Sequence, residues 1–232
     1  QRLPNAVYSQ IQSRRISVFE QAICEAATGV IAVSDEDAAI LRAFRPDKQV
    51  HVVPSGIFAD DYEKQDERLD LKPNALVFTG KMDYRPIVDA MIWFAQDILP
   101  KLSPQTEANL YIVGQKPHTR LDVLRVEANV EITGWVSEVQ PYLQAADVYI
   151  APLRMGSGTR LKLLEAMASG CAVVATTTAA AGLTDDVRDC MHIADDEAQF
   201  ASAVQHLLQH SDERLTLGKR AQETLRKHYD WS

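Results

Sequence analysis

Asp147-Val-Tyr-Ile-Ala151, then Leu153-Arg-Met-Gly-Ser-Gly-Thr-Arg-Leu-Lys-Leu-Leu-Glu-Ala-Met-Ala-Ser-Gly170, then Cys171-Ala-Val-Val-Ala-Thr176 read in order as strand, glycine turn, helix and strand. Gly156 and Gly158 allow backbone to approach a ligand closely, and the helix expected from residue 159 opens with unpaired N–H groups facing the turn. With Ser157 and Thr159 between and after the glycines, and Arg160 and Lys162 adding positive charge, the segment has the make-up of an anion site. Gly170 is placed to stop the helix as a left-handed C′ residue. On a helical wheel Leu161, Leu163, Leu164, Met167 and Ala168 form the apolar arc, while Lys162, Glu165 and Ser169 share the other face. Glu165 therefore either pairs with Lys162 at i,i+3 or accepts hydrogen bonds from ligand hydroxyls, and spacing alone chooses neither.

Outward from this segment the same alternation continues. Short apolar runs fall at Leu76-Val-Phe-Thr79, Asn109-Leu-Tyr-Ile-Val113, Val130-Glu-Ile-Thr133, Val148-Tyr-Ile-Ala151, Ala172-Val-Val-Ala175 and Met191-His-Ile193. Helical patterns separate or follow them near 86–102, 119–128, 137–146, 159–169, 196–209 and 212–228. Continuous apolar strands with helices between them predict an α/β fold, a doubly wound parallel sheet covered on both faces. Right-handed crossovers then gather the strand-to-helix loops on one edge. That edge carries Gly80, Lys81 and Arg85; Gly114, Lys116, His118 and Arg120; Gly134 and Trp135; and Arg154, Gly156, Gly158, Arg160 and Lys162. Basic groups beside glycines at the carboxyl ends of strands point to a ligand bearing phosphates.

The chain as a whole is acidic, with 32 Asp and Glu against 24 Lys and Arg, a net charge of −8. Its average surface repels polyanions, which argues against nucleic acid as a partner while leaving room for a small anion in a local basic pocket. Of its 232 residues 46% are hydrophobic, enough for one good-sized core or one domain and part of another. No stretch has the length and apolarity of a membrane span, and no signal-peptide pattern opens the chain, so a soluble protein is expected. Cys24, Cys171 and Cys190 have no metal-binding spacing and fall in or beside apolar runs, the pattern of core residues in a reducing, cytoplasmic compartment.

Residues 1–60 are organised differently. They read as a helix over 8–28, a strand Gly29-Val-Ile-Ala-Val33, an acid-rich helix start capped by Ser34, and a strand Gln49-Val-His-Val-Val53. Two strands and two helices do not close a doubly wound core. The segment is expected to be the tail of a preceding domain, with 61–74 as linker and 75–232 as the main domain. A first residue other than Met fits a chain that is part of a longer one.

The order of these features resembles the retaining glycosyltransferases of the GT-B fold, specifically the family 4 group (glycosyl transferases group 1) of bacterial surface-polysaccharide enzymes. Ile31-Ala-Val-Ser34 and Val52-Val-Pro-Ser-Gly56 resemble the end of the acceptor domain, and Phe78-Thr-Gly-Lys-Met82 the opening of the donor domain. Leu164-Glu-Ala-Met-Ala-Ser-Gly-Cys-Ala-Val-Val-Ala-Thr176 resembles its signature, and His228-Tyr-Asp-Trp231 the start of the closing helix.

The resemblance implies a nucleoside-diphosphate sugar as donor, a sugar or lipid-linked sugar as acceptor, and no metal or other cofactor. It implies that Lys81 and Arg85 hold the diphosphate, that Glu165 hydrogen-bonds the ribose, and that Gly134 and Val136 offer backbone to the base. Trp135 beside them either packs the loop or stacks on the base. Transfer would draw on Lys81, Arg160 and the amides of 156–159, and a lipid-linked acceptor would place the protein at the inner face of the membrane. With most of the acceptor domain lacking, the chain is expected to bind donor rather than to transfer.

Four positions depart from the family pattern. The first carboxylate of its Glu-x7-Glu motif falls on Ser157, Arg160 stands where glycine is common, Ile87 replaces an Asn, and Asp185 lies near a usual Glu. Loss of the first carboxylate leaves the transferred sugar open. A non-hydrolysing sugar-nucleotide epimerase and a non-catalytic nucleotide-sugar binding module are the rival readings; a receiver-type signalling domain lacks its acidic pocket here.

Overall fold

Residues 2–44, 49–63, 69–156 and 161–232 are described by the computed structural model, which divides into compact units at Gln1–Ser55 and Gly56–Ser232. In the smaller unit the helix expected over 8–28 runs from Arg2 to Ala26 (α1), followed by β1 (Val30–Ala32), α2 (Asp35–Phe44) and β2 (Val50–Val52). β1 and β2 pair in parallel with Val30 opposite Val50, over a small core of Ala32, Ala38 and Val50. Ser34 caps α2 as its sequence requires: the Asp37 amide donates to Ser34 Oγ at 3.1 Å, and the hydroxyl donates to the Asp37 carboxylate at 2.9 Å.

The larger unit contains β3 (Ala75–Thr79), α3 (Arg85–Trp93), β4 (Asn109–Val113), β5 (Val130–Gly134), α4 (Gln140–Ala145), β6 (Val148–Ala151), α5 (Leu161–Ala168), β7 (Ala172–Ala175), α6 (Thr177–Ala180), α7 (Asp185–Arg188), β8 (His192–Ile193), α8 (Glu197–Gln209) and α9 (Ser211–Tyr229). All six strands pair in parallel in the order β5-β4-β3-β6-β7-β8. Every residue of β3, β6 and β7 is buried, which is why these strands carry no polar alternation. The direction of winding reverses between β3 and β6, so their carboxyl ends diverge into loops on opposite faces and leave a crevice.

The segment after β4 differs from expectation. The helix expected at 119–128 is a 3-10 segment, Thr119–Val126, rich in β-branched residues and held at its start by the Arg120 amide donating to His118 Nδ1 at 3.1 Å. The larger unit begins at Gly56. Ile57 bridges to Asp230, with its amide on the Tyr229 carbonyl at 2.9 Å and its carbonyl receiving the Trp231 amide at 3.0 Å. A 3-10 turn, Ala59–Tyr62, then packs on α5.

Gly170 ends α5 as its position demands. Its φ is +77°, its amide reaches the Met167 carbonyl at 2.9 Å, and the Cys171 amide reaches Ala166 at 3.0 Å, the paired bonds of a Schellman stop. α9 returns across this turn so closely that a Cβ at Gly218 would lie 2.1 Å from the Gly170 carbonyl oxygen. All three cysteines are buried; the Cys171 thiol donates to the Leu143 carbonyl at 3.0 Å.

Candidate functional site

At the crevice, the loop leaving β3 is laced to the loop leaving β4. The Gly80 amide donates to Val113 and the Met82 amide to Gln115, both at 2.9 Å, and the His118 amide returns to Met82 at 3.1 Å. The two backbones touch: at Gly114, φ is +146° and a Cβ would lie 1.7 Å from the Gly80 carbonyl oxygen. Gly80 is itself buried against Ile87 and Phe78. Only glycine fits that crossing, and its close approach fixes where Lys81 emerges.

A cavity of about 220 Å³ opens there, lined by Gly80, Lys81, Val113, Gly114, Gln115, Trp135, Val136, Val139 and Lys162. Residues far apart in the sequence thus meet around one space, drawn from the ends of β3, β4 and β5 and the first turn of α5. Lys81 is exposed and loosely paired with the exposed Asp83 at 3.7 Å. Lys162 has no ion-pair partner among the described residues. Gly134 turns the chain with φ +75°, where an added Cβ would meet nothing within 4 Å, and Trp135 and Val136 after it line the cavity. Trp135 is 72% exposed. Packing of the loop therefore does not account for its indole.

Beside it lies a second cavity of about 320 Å³, apolar except for Lys162 and Glu165, with walls from Phe78, Tyr84, Pro86, Ile87, Tyr149, Ala151, Leu153, Leu161 and Leu163. Lys162 borders both spaces. Glu165 forms no ion pair with Lys162, and the turn that carries Tyr62 packs on α5, the helix of Glu165. Burial first, then the nearby Glu165 charge, pushes the Tyr62 phenol up to about 12, so at neutral pH it keeps its proton. Tyr149 below is fully buried, shares a hydrogen bond with Thr79 at 3.1 Å, and is raised by burial as well.

Several residues on the basic edge stand elsewhere. Arg85 is exposed at the start of α3 and lines neither cavity. Arg154 is not available to a ligand: its Nε and Nη2 bind the Asp89 carboxylate at 3.0 and 2.9 Å, and its guanidinium lies 4.9 Å from the Trp93 ring centroid. Gly156, with φ +123°, is exposed and outside both linings. Ser157, Gly158, Thr159 and Arg160 lie outside the described residues. Tyr62, on the turn that packs against α5, is a neighbour of the site that sequence reasoning missed, since a lone tyrosine in an acidic run carries no signal of where the fold takes it.

A parallel sheet whose strand order reverses between β3 and β6 is a Rossmann-like fold, with Lys81, Lys162, Trp135 and Glu165 beside the reversal. Residues 73–210 match the profile of the family described as Glycosyl transferases group 1, and the chain belongs to that family. The fold likeness extends to solved structures. Sucrose-phosphate synthase from Thermosynechococcus elongatus superposes with a TM-score of 0.73 at 22% identity, over 93% of this chain and 57% of that one. HepE from Anabaena, solved with UDP and glucose, gives 0.67 at 16% identity, over 88% and 60%. WaaG, a glycosyltransferase of lipopolysaccharide biosynthesis, gives 0.67 at 20%, over 85% and 58%. The chain spans less than two thirds of each of these structures. No curated protein sequence matches it. Among the described residues no helix is long and apolar enough to cross a membrane, and no group of three His, Cys, Asp or Glu is arranged to hold a metal ion.

Proposed function

We propose that this chain carries the donor site of a retaining hexosyltransferase, which moves a sugar from a nucleoside diphosphate to a hydroxyl acceptor in surface polysaccharide or glycoconjugate synthesis. The observation that carries the reading is the convergence of Lys81, Lys162 and an exposed Trp135 on one cavity at the crevice of the sheet. The flat indole offers a face for a base, with the backbone of Gly134 and Val136 beside it. Lys81 and Lys162 suit a diphosphate, and Glu165 suits the ribose hydroxyls. From the sequence resemblance, Arg160 and the Gly156–Thr159 turn join the diphosphate contacts.

Breaking the bond between the anomeric carbon and the diphosphate oxygen leaves negative charge on the departing phosphate. Cations and amides already aimed there stabilise that charge more in the transition state than in the bound donor, and one such donor contributes about 3–4 kcal/mol. No cofactor is required by this chemistry, because the leaving group is neutralised by side chains. The acceptor, a sugar or lipid-linked sugar, would be held by the domain that precedes this one, at the inner face of the membrane. HepE in complex with UDP and with UDP-glucose, and WaaG in lipopolysaccharide biosynthesis, support this reading.

Calorimetric titration of the 232-residue chain with UDP, GDP, ADP and CMP tests it. One nucleotide should bind selectively, and Lys81→Ala, Lys162→Ala and Glu165→Ala should each weaken it about tenfold. Binding of none of the four by the folded protein would sink the proposal, and conversion of a free nucleotide sugar without acceptor would favour an epimerase.

A further inference from the structure

Strand β5 does not keep even register with β4. Ile112 stands opposite Ile132, yet the next residue, Val113, stands opposite Gly134, so Thr133 is one residue more than the pairing accommodates. Such a bulge bends the strand and shifts the alternation of the side chains after it, which re-aims a residue at the strand end. The residue after the turn at Gly134 is Trp135, 72% exposed on the wall of the cavity. The Thr133 hydroxyl closes the bulge: it accepts from the Gly114 amide at 3.4 Å and donates to the Gly134 carbonyl at 2.9 Å. Gly114 is the residue that crosses Gly80. One hydroxyl thus ties the turn that carries Trp135 to the pair of loops from which Lys81 emerges.

Resting on the donor-site reading, we infer that Thr133 is a positioning residue: its hydroxyl holds the Gly134 turn so that the Trp135 indole stands at a fixed place relative to Lys81. A nucleotide's base and diphosphate are joined through one ribose, so a site gains from both ends only when its two walls are set at the matching separation before the ligand arrives. A glycine turn has more backbone freedom to lose than any other, and an indole this exposed is oriented little by packing. Thr133 is β-branched and stiff about χ1, so its hydroxyl restrains the turn at small entropic cost.

The role predicts selectivity as well as affinity. Thr133→Val keeps the β-branched shape and removes only the hydroxyl, whereas Thr133→Ser keeps the hydroxyl. UDP, GDP, ADP, CMP and inorganic pyrophosphate would be titrated into the wild-type chain, both variants, Trp135→Ala and the double variant Thr133→Val with Trp135→Ala. Thermal melting checks folding, and Thr133→Ala is the second hydroxyl-free variant, judged by the same outcomes, should Thr133→Val not fold. Thr133→Val should weaken the nucleotide that the wild type binds by about five- to tenfold and leave pyrophosphate affinity unchanged. Thr133→Ser should bind as the wild type does, and in the Trp135→Ala background Thr133→Val should have little further effect. Wild-type nucleotide affinity in Thr133→Val, an equal loss on pyrophosphate, an equal loss in Thr133→Ser, or full additivity with Trp135→Ala would overturn the inference while the donor reading stands. A wild-type chain that binds pyrophosphate but none of the nucleotides would overturn both.

Discussion

Replacing Gly114 by alanine tests the geometry on which the site is built. The new Cβ would stand 1.7 Å from the carbonyl oxygen of Gly80 and 2.9 Å from its carbon, both backbone atoms that no rotamer change moves away. The backbone at φ +146° is also one that L-residues rarely adopt. Relief requires the loops after β3 and β4 to part, at the expense of the 2.9 Å bonds from Gly80 to Val113 and from Met82 to Gln115. A disfavoured backbone region costs about 1–3 kcal/mol and each net hydrogen bond about 0.5–1.5, so the loss should be about 2–6 kcal/mol. Gly134→Ala is the matched control, because at φ +75° it meets nothing within 4 Å and should lose only the conformational part, about 1–2 kcal/mol. Urea denaturation of the two variants gives the comparison, and nucleotide titration of whichever stays folded shows whether the cavity survives. A Gly114→Ala protein as stable as Gly134→Ala would refute the close crossing of the two loops.

Two further outcomes follow from particular side chains. Arg154→Ala should leave nucleotide affinity unchanged in calorimetry and lower stability by about 1–2 kcal/mol, because its charge is bound to Asp89 over Trp93; a tenfold loss of affinity would show that it serves the ligand. Alkali should destabilise the fold in a defined window. Burial pushes the Cys171 thiol from 9.0 up to about 12, and burial with Glu165 pushes Tyr62 from 10.0 up to about 12. The unfolded chain releases these protons first, so stability is full below pH 9 and declines as pH rises toward 12. Urea midpoints across that range check it, and Cys171→Ala should remove the part of the decline that starts near 9; an identical profile in that variant would refute the assignment.

Much of the fold was legible in the linear sequence. The runs at 109–113, 148–151 and 172–175 are strands with the expected bounds, and Gly170 stops α5 where the apolar periodicity ends. Ser34 caps α2, as a short polar side chain ahead of three acidic residues requires. These features depend on neighbours within a few positions, where steric limits, capping and burial on both sheet faces act regardless of the rest of the chain. Lys81, Lys162 and Trp135 were also identifiable as members of an edge, since a parallel sheet sends all its strand ends one way, and Glu165 as the polar group on the helix face it shares with Lys162.

Which members of that edge share a space was decided by tertiary structure. Arg85, Arg154 and Lys162 look alike as basic residues near strand ends, yet only Lys162 borders the cavities, and Arg154 is neutralised by Asp89, 65 positions away. Beside Glu165 the fold brings Tyr62, more than a hundred positions earlier, on a turn that packs on α5 and is held by contacts of residues 57–63 with α4 and α9. The crossing of Gly80 and Gly114 likewise exists only once β3 and β4 pair in register. Local pattern determines what an element is because short-range sterics and periodicity are written in adjacent residues. Partnership between side chains depends on which elements pack together, and that is set by the burial of the whole core.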